Sequence, residues 1–255
     1  MFVAKTKKIE ALAKLFPGVI KRLDTRIFEN PSGVYIDWSN VLHWQDRRLG
    51  WHFCTKRQKQ LFDSFDTVQF VKIYLGTLEG NEKSEETIRE LKAFGYEVIT
   101  KPVKLMKIPI NASSISESSP ALLQQFITKP LLERLNTATI IAFNRRIKEL
   151  NRRGVYFIED MKCNFDVEMG GDMLADLKAD EIKNFITLSA DSDFANPIKQ
   201  IANDGKTPII FSTAREVSYE LATSGAYVFD VQQIRQFICW AKEISPEVKK
   251  KITSP

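Results

Sequence analysis

Histidine and cysteine are scarce in this sequence, and their scarcity excludes several classes of site. The 255 residues include two histidines and three cysteines. Both histidines, His43 and His52, fall in one short stretch, so a histidine-based metal site or a Ser-His-Asp triad has little support. The cysteines lie far apart and in no CxxC spacing. Neither a disulfide framework nor a zinc site is therefore predicted.

Long apolar runs are also missing. No stretch approaches the roughly 20 uninterrupted apolar residues that a membrane span needs. The N-terminal segment has no signal-peptide core, because Glu10, Lys14 and Pro17 interrupt it. We therefore expect a cytoplasmic protein with no membrane partner. Hydrophobic residues make up 44% of the chain, which suits a globular core, and a net charge of +5 weakly favours polyanionic partners.

Two short apolar runs end abruptly in acidic residues. Phe185–Leu188 predicts a buried parallel strand, and Ser189–Asp193 follows it as a loop with two carboxylates. Val34–Ile36 predicts a second buried strand, followed directly by Asp37. Open α/β sheets bind their ligands at the carboxyl ends of strands, so both loops are candidate site segments.

The order of predicted elements gives the fold class. Strands alternate with helices through most of the chain, which predicts an α/β fold on a mainly parallel sheet with right-handed crossovers. We expect an N-terminal helical extension over residues 1–33 and a main domain over 34–245. A helical insertion over 108–154 interrupts that domain, and 246–255 form a basic tail.

The insertion has its own predicted features. Residues 101–107 and 155–161 are expected to pair as a β-hairpin that carries it. Asn111–Pro120 is rich in serine and predicts a mobile loop without a core face. The cations between Asn144 and Gly154 either contact a phosphate backbone or form a solvated helix face, and we favour the solvated face.

Aromatic and cationic side chains alternate after the first acidic loop. Such a run suits a groove for single-stranded nucleic acid, since rings stack on bases and cations meet phosphates. The alternative is that the rings pack beneath the loop and the charges are merely solvated. Both interpretations stay open. The candidate nucleic-acid-binding residues are Trp44, Arg47, Arg48, Trp51, Lys56 and Arg57.

Four carboxylates fall at strand ends or at a helix start that a doubly wound sheet would gather on one edge. Carboxylates held so close repel one another unless they share a cation, so a hard divalent metal is predicted, Mg²⁺ or Mn²⁺. The four are Asp37, Asp166, Asp191 and Asp193.

Four further polar residues are candidates near this acidic set. Asn40 is expected to hold a metal-bound water or a phosphate oxygen. Ser189 and Ser192 are expected to orient the carboxylates. Asp172, on another side of the helix that begins at Asp166, is expected to support the site or to be solvated.

Three segments carry a family resemblance. Ile36–Asn40, Lys162–Val167 with Asp172, and Ser189–Phe194 with Pro197 resemble the three motifs of the NYN domain, including its LabA-like group, in the PIN-like nuclease superfamily. The resemblance implies a three-layer α/β/α sandwich. It also implies metal-dependent cleavage of RNA, with the four aspartates as metal ligands and Asn40 beside them as a catalytic residue.

Two functional hypotheses follow, and a third is weaker. The first is an endoribonuclease that acts on single-stranded or structured RNA. The second is a catalytically weak or inactive module that keeps the fold and recruits RNA or a protein partner through the insertion and the aromatic loop. A homo-oligomer or a protein partner through the insertion is a further expectation. The third is a phosphatase-like enzyme with Asp37 as nucleophile, which expects an acid two positions later. Serine occupies position 39 instead.

Overall fold

Strand β1 (Ser32–Asp37) is buried at all six positions and lies near the middle of a six-stranded parallel sheet. The computed structural model describes residues 1–78, 80–213 and 217–253. It divides into two units, Met1–Pro102 with Cys163–Pro255 and, separately, Val103–Lys162. The remaining strands are β2 (Val68–Thr77), β3 (Glu97–Pro102), β4 (Lys104–Pro109), β5 (Phe157–Lys162), β6 (Asn184–Leu188), β7 (Thr207–Ser212) and β8 (Tyr227–Asp230).

The strand order in the first unit is β3-β2-β1-β6-β7-β8. Every neighbouring pair is parallel, and Ile36 of β1 pairs with Leu188 of β6. The chain therefore builds the sheet outward from β1 in one direction, then returns and builds outward from β6 in the other. The carboxyl ends of β1 and β6 form the switch point at which such sheets bind ligands.

Alternation along the strands creates two helical layers. Val34 and Ile36 of β1 face one hydrophobic cluster, while Tyr35 between them faces the other. Ile186 and Phe185 of β6 divide in the same way. Side chains that alternate between two buried faces are typical of a sheet covered on both sides. The predicted three-layer α/β/α sandwich is confirmed for this unit.

Helices occupy most of the remaining described chain. They are α1 (Lys7–Leu15), α2 (Pro17–Arg22), α3 (Trp38–Trp44), α4 (Thr55–Phe62), α5 (Glu82–Ala93), α6 (Lys129–Leu132), α7 (Thr137–Arg152), α8 (Asp166–Ala179), α9 (Ala195–Asn203), α10 (Tyr219–Ala222), α11 (Arg235–Ile238) and α12 (Pro246–Thr253). The sequence also predicts a helix around Glu216–Thr223, and α10 lies within this range, while Glu216 itself lies outside the described residues. None of the helices in the described ranges is both long and apolar enough to cross a membrane.

The N-terminal helices belong to the core of the first unit. Ile9 and Leu12 of α1 are buried in the same hydrophobic cluster as Val34 and Ile36. Thr6 caps the helix by accepting a hydrogen bond from the backbone of Ile9. The extension predicted from its helical spacing thus packs against the sheet, while its domain boundary stays a prediction.

The second unit is an antiparallel strand pair with a helical segment between the strands. β4 and β5 pair antiparallel, as predicted for the segments that flank the insertion. The serine-rich stretch is a loop without helix or strand, as predicted, but the expectation that it lacks a core face is wrong, because Ala112 is fully buried. Asn144 of α7 donates hydrogen bonds to the backbone carbonyls of Glu117 and Ser119 and holds that stretch. The cations of α7 are mostly exposed, which agrees with a solvated face and with contact to a phosphate backbone, so both interpretations stay predictions.

The prediction that Trp44 and Trp51 stack on nucleic-acid bases is wrong. Trp44 and Trp51 are each only 1% exposed. Val41 and Trp44 form the core face of α3, so the ring of Trp44 packs inward. The Trp51 indole donates to the Gln232 side chain at 2.9 Å. Neither ring presents a face on which a base could stack.

Arg57 is also a structural residue. Its side chain is 8% exposed, and its guanidinium donates hydrogen bonds to the carbonyl oxygens of Gln236 and Cys239. These carbonyls lie at the end of α11, where backbone acceptors have no partner within the helix. Arg57 therefore joins α4 to α11 and is not available to a phosphate. Its neighbour Lys56 is exposed, as is Arg48, while the side chain of Arg47 lies outside the described residues.

We expect Arg57→Met to lower the free energy of unfolding by about 3 kcal/mol. Hydrogen bonds from charged groups contribute roughly 1.5–3 kcal/mol each, and the substitution leaves two carbonyls without their donor. Lys56→Met is the matched control and should change stability by less than about 0.5 kcal/mol, because the lysine is exposed. Urea unfolding measures both variants. Equal losses would contradict the structural role of Arg57.

Candidate metal centre

Asp37 ends β1 and caps the helix that follows. Its Oδ1 accepts hydrogen bonds from the Ser39 hydroxyl at 2.6 Å and from the Asn40 backbone at 3.2 Å. Its Oδ2 accepts from the Ser189 hydroxyl at 3.2 Å. The side chain is only 6% exposed. Asp37 therefore ends β1, caps α3 and links β1 to the loop after β6.

Ser189 and Asn40 tie the two loops together. The Ser189 hydroxyl, besides donating to Asp37, accepts a hydrogen bond from the Asp191 backbone at 3.2 Å. The Asn40 side-chain oxygen accepts from the Ala190 backbone at 3.3 Å. Ser189 thus hydrogen-bonds the Asp37 carboxylate and the Asp191 backbone, and its predicted role in orienting the acidic set stays a prediction. Asn40 positions the second loop, and its predicted contact with water or phosphate stays a prediction.

Three of the four predicted carboxylates come together. Asp166, Asp191 and Asp193 each offer a carboxylate oxygen, and these oxygens all lie within 4.8 Å of one another. Asp166 lies in the first turn of α8, while the other two lie in the loop after β6. Asp37 is not part of this group. It lies at the adjacent strand end, joined to the group through Ser189.

The one-residue gap between Asp191 and Asp193 is explained by a tight turn. Asp191 caps the 3-10 turn Ser192–Phe194, and its Oδ1 accepts from the Asp193 backbone at 3.1 Å. In an extended strand, positions i and i+2 point to the same face because side chains alternate. Here the chain is not extended, and the turn folds it back on itself. Phe194 is buried and anchors the turn in the core.

The electrostatics of the group are unfavourable to ionised carboxylates. Burial raises the pKa of Asp166 to about 6, with the neighbouring Asp193 and Asp191 carboxylates acting in the same direction and Asn164 opposing them. Burial also raises the pKa of Asp37, although hydrogen bonds from Ser39, Asn40 and Ser189 oppose that shift. Desolvation and like charge both disfavour negative charge, so a bound cation would relieve the site.

The supporting residues divide into predicted and unpredicted ones. Asp172 accepts a hydrogen bond from the Tyr74 hydroxyl at 2.7 Å and so anchors α8 to β2. Asp176, one turn on, accepts from Tyr35 of β1 at 2.7 Å. Ser192 is exposed, and its predicted orienting role stays a prediction.

Asn164 was not among the residues predicted from the sequence. Its side-chain oxygen accepts from the Asp166 backbone at 2.9 Å. The Asn-x-Asp spacing is typical of a side chain that closes such a turn and was the available signal.

Comparison with known proteins gives one family match. Residues 127–232 match the family model of the NYN domain. This match is consistent with an NYN domain in the chain. No curated protein matches the chain. A solved structure of a protein of unknown function from Vibrio parahaemolyticus RIMD 2210633 aligns with 81% of this chain and 94% of that chain, at 14% identity and a TM-score of 0.48.

The NYN match confirms the family resemblance found in the motifs. It includes the three clustered aspartates, Asp166, Asp191 and Asp193, and Asp37 lies outside the matched residues. The NYN segment also includes α7 and β5 of the second unit. Assignment to the LabA-like group stays a prediction.

The raised pKa of Asp166 makes the stability of this protein depend on pH. Its pKa is about 6 in the fold against an ordinary 3.8, so the folded chain binds more protons between these values. Stability should therefore fall as pH rises from about 4 to about 6. Asp166→Asn should flatten this fall, measured as the unfolding temperature in EDTA. Asp204→Asn, at an exposed carboxylate, is the control and should keep the wild-type slope.

Identical pH slopes for wild type and Asp166→Asn would contradict the raised pKa.

Proposed function

We propose that this protein is a metal-dependent endoribonuclease whose reaction takes place at the group of three aspartates. The single observation that carries the proposal is that Asp166, Asp191 and Asp193 bring carboxylate oxygens within 4.8 Å of one another. The NYN match gives the reaction class, since NYN domains are typically nucleases of PIN-like fold. The position at the switch point of the sheet supports a ligand site there.

The donor set fits a hard divalent cation. Carboxylate oxygens are the ligands that Mg²⁺ and Mn²⁺ prefer, and Mg²⁺ needs only one or two direct carboxylates. The raised pKa of Asp166 supports this fit, because the group is poorly stabilised as an anion by the protein alone. Bound there, such an ion would neutralise charge on the scissile phosphate and lower the pKa of attacking water.

The residues have distinct proposed roles. Asp166, Asp191 and Asp193 would hold a divalent cation. Asp37 is buried and hydrogen-bonded on both oxygens, so its role is to position the second loop and to add negative charge beside the group. Ser189 transmits that position to Asp191.

An RNA-binding module without cleavage is the alternative function. The observation in its favour is the burial of Asp37, whose two oxygens accept three hydrogen bonds from within the protein. A site with one carboxylate so engaged has fewer free oxygens for a metal than the sequence suggested. Persistent RNA binding with no cleavage at any divalent metal tested would favour this alternative.

Several expectations accompany the proposed activity. We propose RNA, single-stranded or structured, as the substrate, and a cytoplasmic location. A protein partner or a homo-oligomer through residues 108–154 and the domain boundaries at 33 and 245 stay predictions.

Asp191→Asn should abolish metal-dependent cleavage of a labelled RNA, and Asp37→Asn, which removes a positioning residue, should lower cleavage by about 10–100-fold. Loss of a supporting residue at a metal site costs about 10–100-fold, so loss of the Asp191 ligand should cost at least about 100-fold. Ser189→Ala should show an intermediate loss, because it only positions the carboxylates. The matched control is Asp204→Asn, the same chemical change at an exposed helix end, which should cleave like wild type.

Cleavage is followed with Mg²⁺, with Mn²⁺ and with EDTA, after circular dichroism has established that each variant is folded. Unchanged cleavage in both Asp191→Asn and Asp37→Asn would overturn the proposal.

A further inference from the structure

A pocket of about 420 Å³ opens beside α3 in the first unit. Aromatic rings form much of its lining. Trp38 and Phe94 are half-buried, Trp240 is 37% exposed, and Phe53 is buried. The pocket therefore presents large planar apolar surfaces that the protein core does not fully cover.

The pocket begins next to the acidic site. Trp38 directly follows Asp37, and consecutive Cα atoms lie about 3.8 Å apart. Leu42, which also lines the pocket, lies one helical turn further on the same face of α3, about 6 Å along the axis. One wall of the pocket thus continues directly from the residue that ends β1.

The rings are held by contacts of their own. The Trp240 ring stacks on His52 at 4.2 Å with planes 11° apart, and the Trp240 backbone donates to the His52 carbonyl at 3.0 Å. His52 in turn contacts Glu243 through Nδ1 at 2.7 Å. A ring fixed in this way loses little freedom when a ligand binds against it.

Lysines lie over two of the rings, and because His52 stacks on Trp240, a base that binds this ring must displace the flexible side chain of Lys242. The Lys56 ammonium is 5.8 Å from the centre of the Phe94 ring, and that of Lys242 is 4.5 Å from the Trp240 ring. Both lysines are exposed and can pair with a phosphate group. Glu90, which is exposed, also lines the pocket and offsets part of this charge. Recognition here must therefore come mainly from the rings.

We propose that this pocket binds an unstacked base of single-stranded RNA beside the acidic site. The proposed ribonuclease function identifies the ligand as RNA, while the pocket itself supplies the rings and cations. Aromatic side chains bind bases by stacking, whatever the base, and neighbouring cations meet the phosphates. A duplex keeps its bases stacked on one another and cannot offer one to the pocket.

This proposal also replaces the earlier interpretation of the aromatic stretch. The sequence analysis named Trp44 and Trp51 as stacking rings, and both are buried. Trp38 and Trp240 take their place, with Lys56 retained from the predicted cations.

The test measures RNA binding separately from cleavage. The full-length protein is titrated, in EDTA, into a labelled ten-nucleotide single-stranded RNA, and fluorescence anisotropy gives the affinity. Trp240→Ala should weaken binding about fivefold or more, the effect of losing one stacked base. Trp240→Phe keeps a ring and should stay within about twofold of wild type. Tyr219→Ala, which removes an 81% exposed ring outside the pocket, is the control and should bind like wild type.

A second variant guards against a folding defect in Trp240→Ala. Leu42 is 41% exposed on the pocket wall, so Leu42→Glu places a negative charge there without opening the core. It should weaken RNA binding as well. Inorganic polyphosphate, which has charge but no bases, should bind wild type and Trp240→Ala equally.

Three results would overturn the inference. They are wild-type RNA affinity in both Trp240→Ala and Leu42→Glu, a Trp240→Phe variant as weak as Trp240→Ala, and an equal loss of polyphosphate affinity in Trp240→Ala. If both pocket variants bind and cleave RNA normally, base binding in the pocket is refuted and the nuclease proposal stands. If RNA binding depends on the pocket but no RNA is cleaved, the nuclease proposal is refuted and base binding in the pocket stands.

Discussion

The Ser189 hydroxyl donates to Asp37 and accepts from the Asp191 backbone, and the geometry of the acidic site depends on this pair of hydrogen bonds. Asp37 ends β1, and Ser189 follows β6, its parallel neighbour. Parallel strands in register bring their carboxyl ends to the same edge, so two loops that are 152 residues apart in sequence meet there. Because Asp37 and Ser189 are both buried, the link is shielded from water and fixes the second loop firmly.

The third acidic segment is brought to this edge by a different set of contacts. Asp172 and Asp176 lie one turn apart on α8 and accept hydrogen bonds from Tyr74 and Tyr35. Burial, with the hydrogen bond to each acid next, raises the pKa of both tyrosines, so both hydroxyls stay protonated donors. These bonds set the rotation of α8 on the sheet, and that rotation directs Asp166, in its first turn, toward the other two carboxylates. The fold thus holds three mutually repelling carboxylates together through hydrogen bonds between α8 and the sheet, made by other residues of the helix.

The strand ends could be predicted from sequence because their signal is local. A short, mainly apolar run followed closely by a carboxylate, as before Asp37 and after Phe185–Leu188, can be recognised without knowledge of distant residues. The closure of Asp193 onto Asp191 could not be predicted with the same assurance, since it depends on a 3-10 turn anchored by buried Phe194. The clustering of Asp166 needed the orientation of α8, which two tyrosines on other strands determine.

The rings were misassigned for a related reason. Alternation of aromatic and cationic residues describes composition, whereas exposure depends on helical phase. In α3, Val41 and Trp44 face the core, while Trp38 and Leu42 line the pocket. Arg57 is a second side chain whose role could not be predicted from local sequence. Its partners lie about 180 residues away, and nothing near it in sequence indicates them.

Helix α3 therefore has two consequences for function. Its first turn is capped by Asp37, which ties the helix to the acidic edge, and its outer face forms one wall of the aromatic pocket. Since the helix is a rigid body only seven residues long, the cap fixes the pocket relative to the end of β1. A change that disturbs the bonds of Asp37 would alter the acidic group and the pocket together, whereas a change at Trp240 alters the pocket alone. A change at Trp240 therefore tests base binding while the geometry of the carboxylates stays intact, whereas a change at Asp37 affects both.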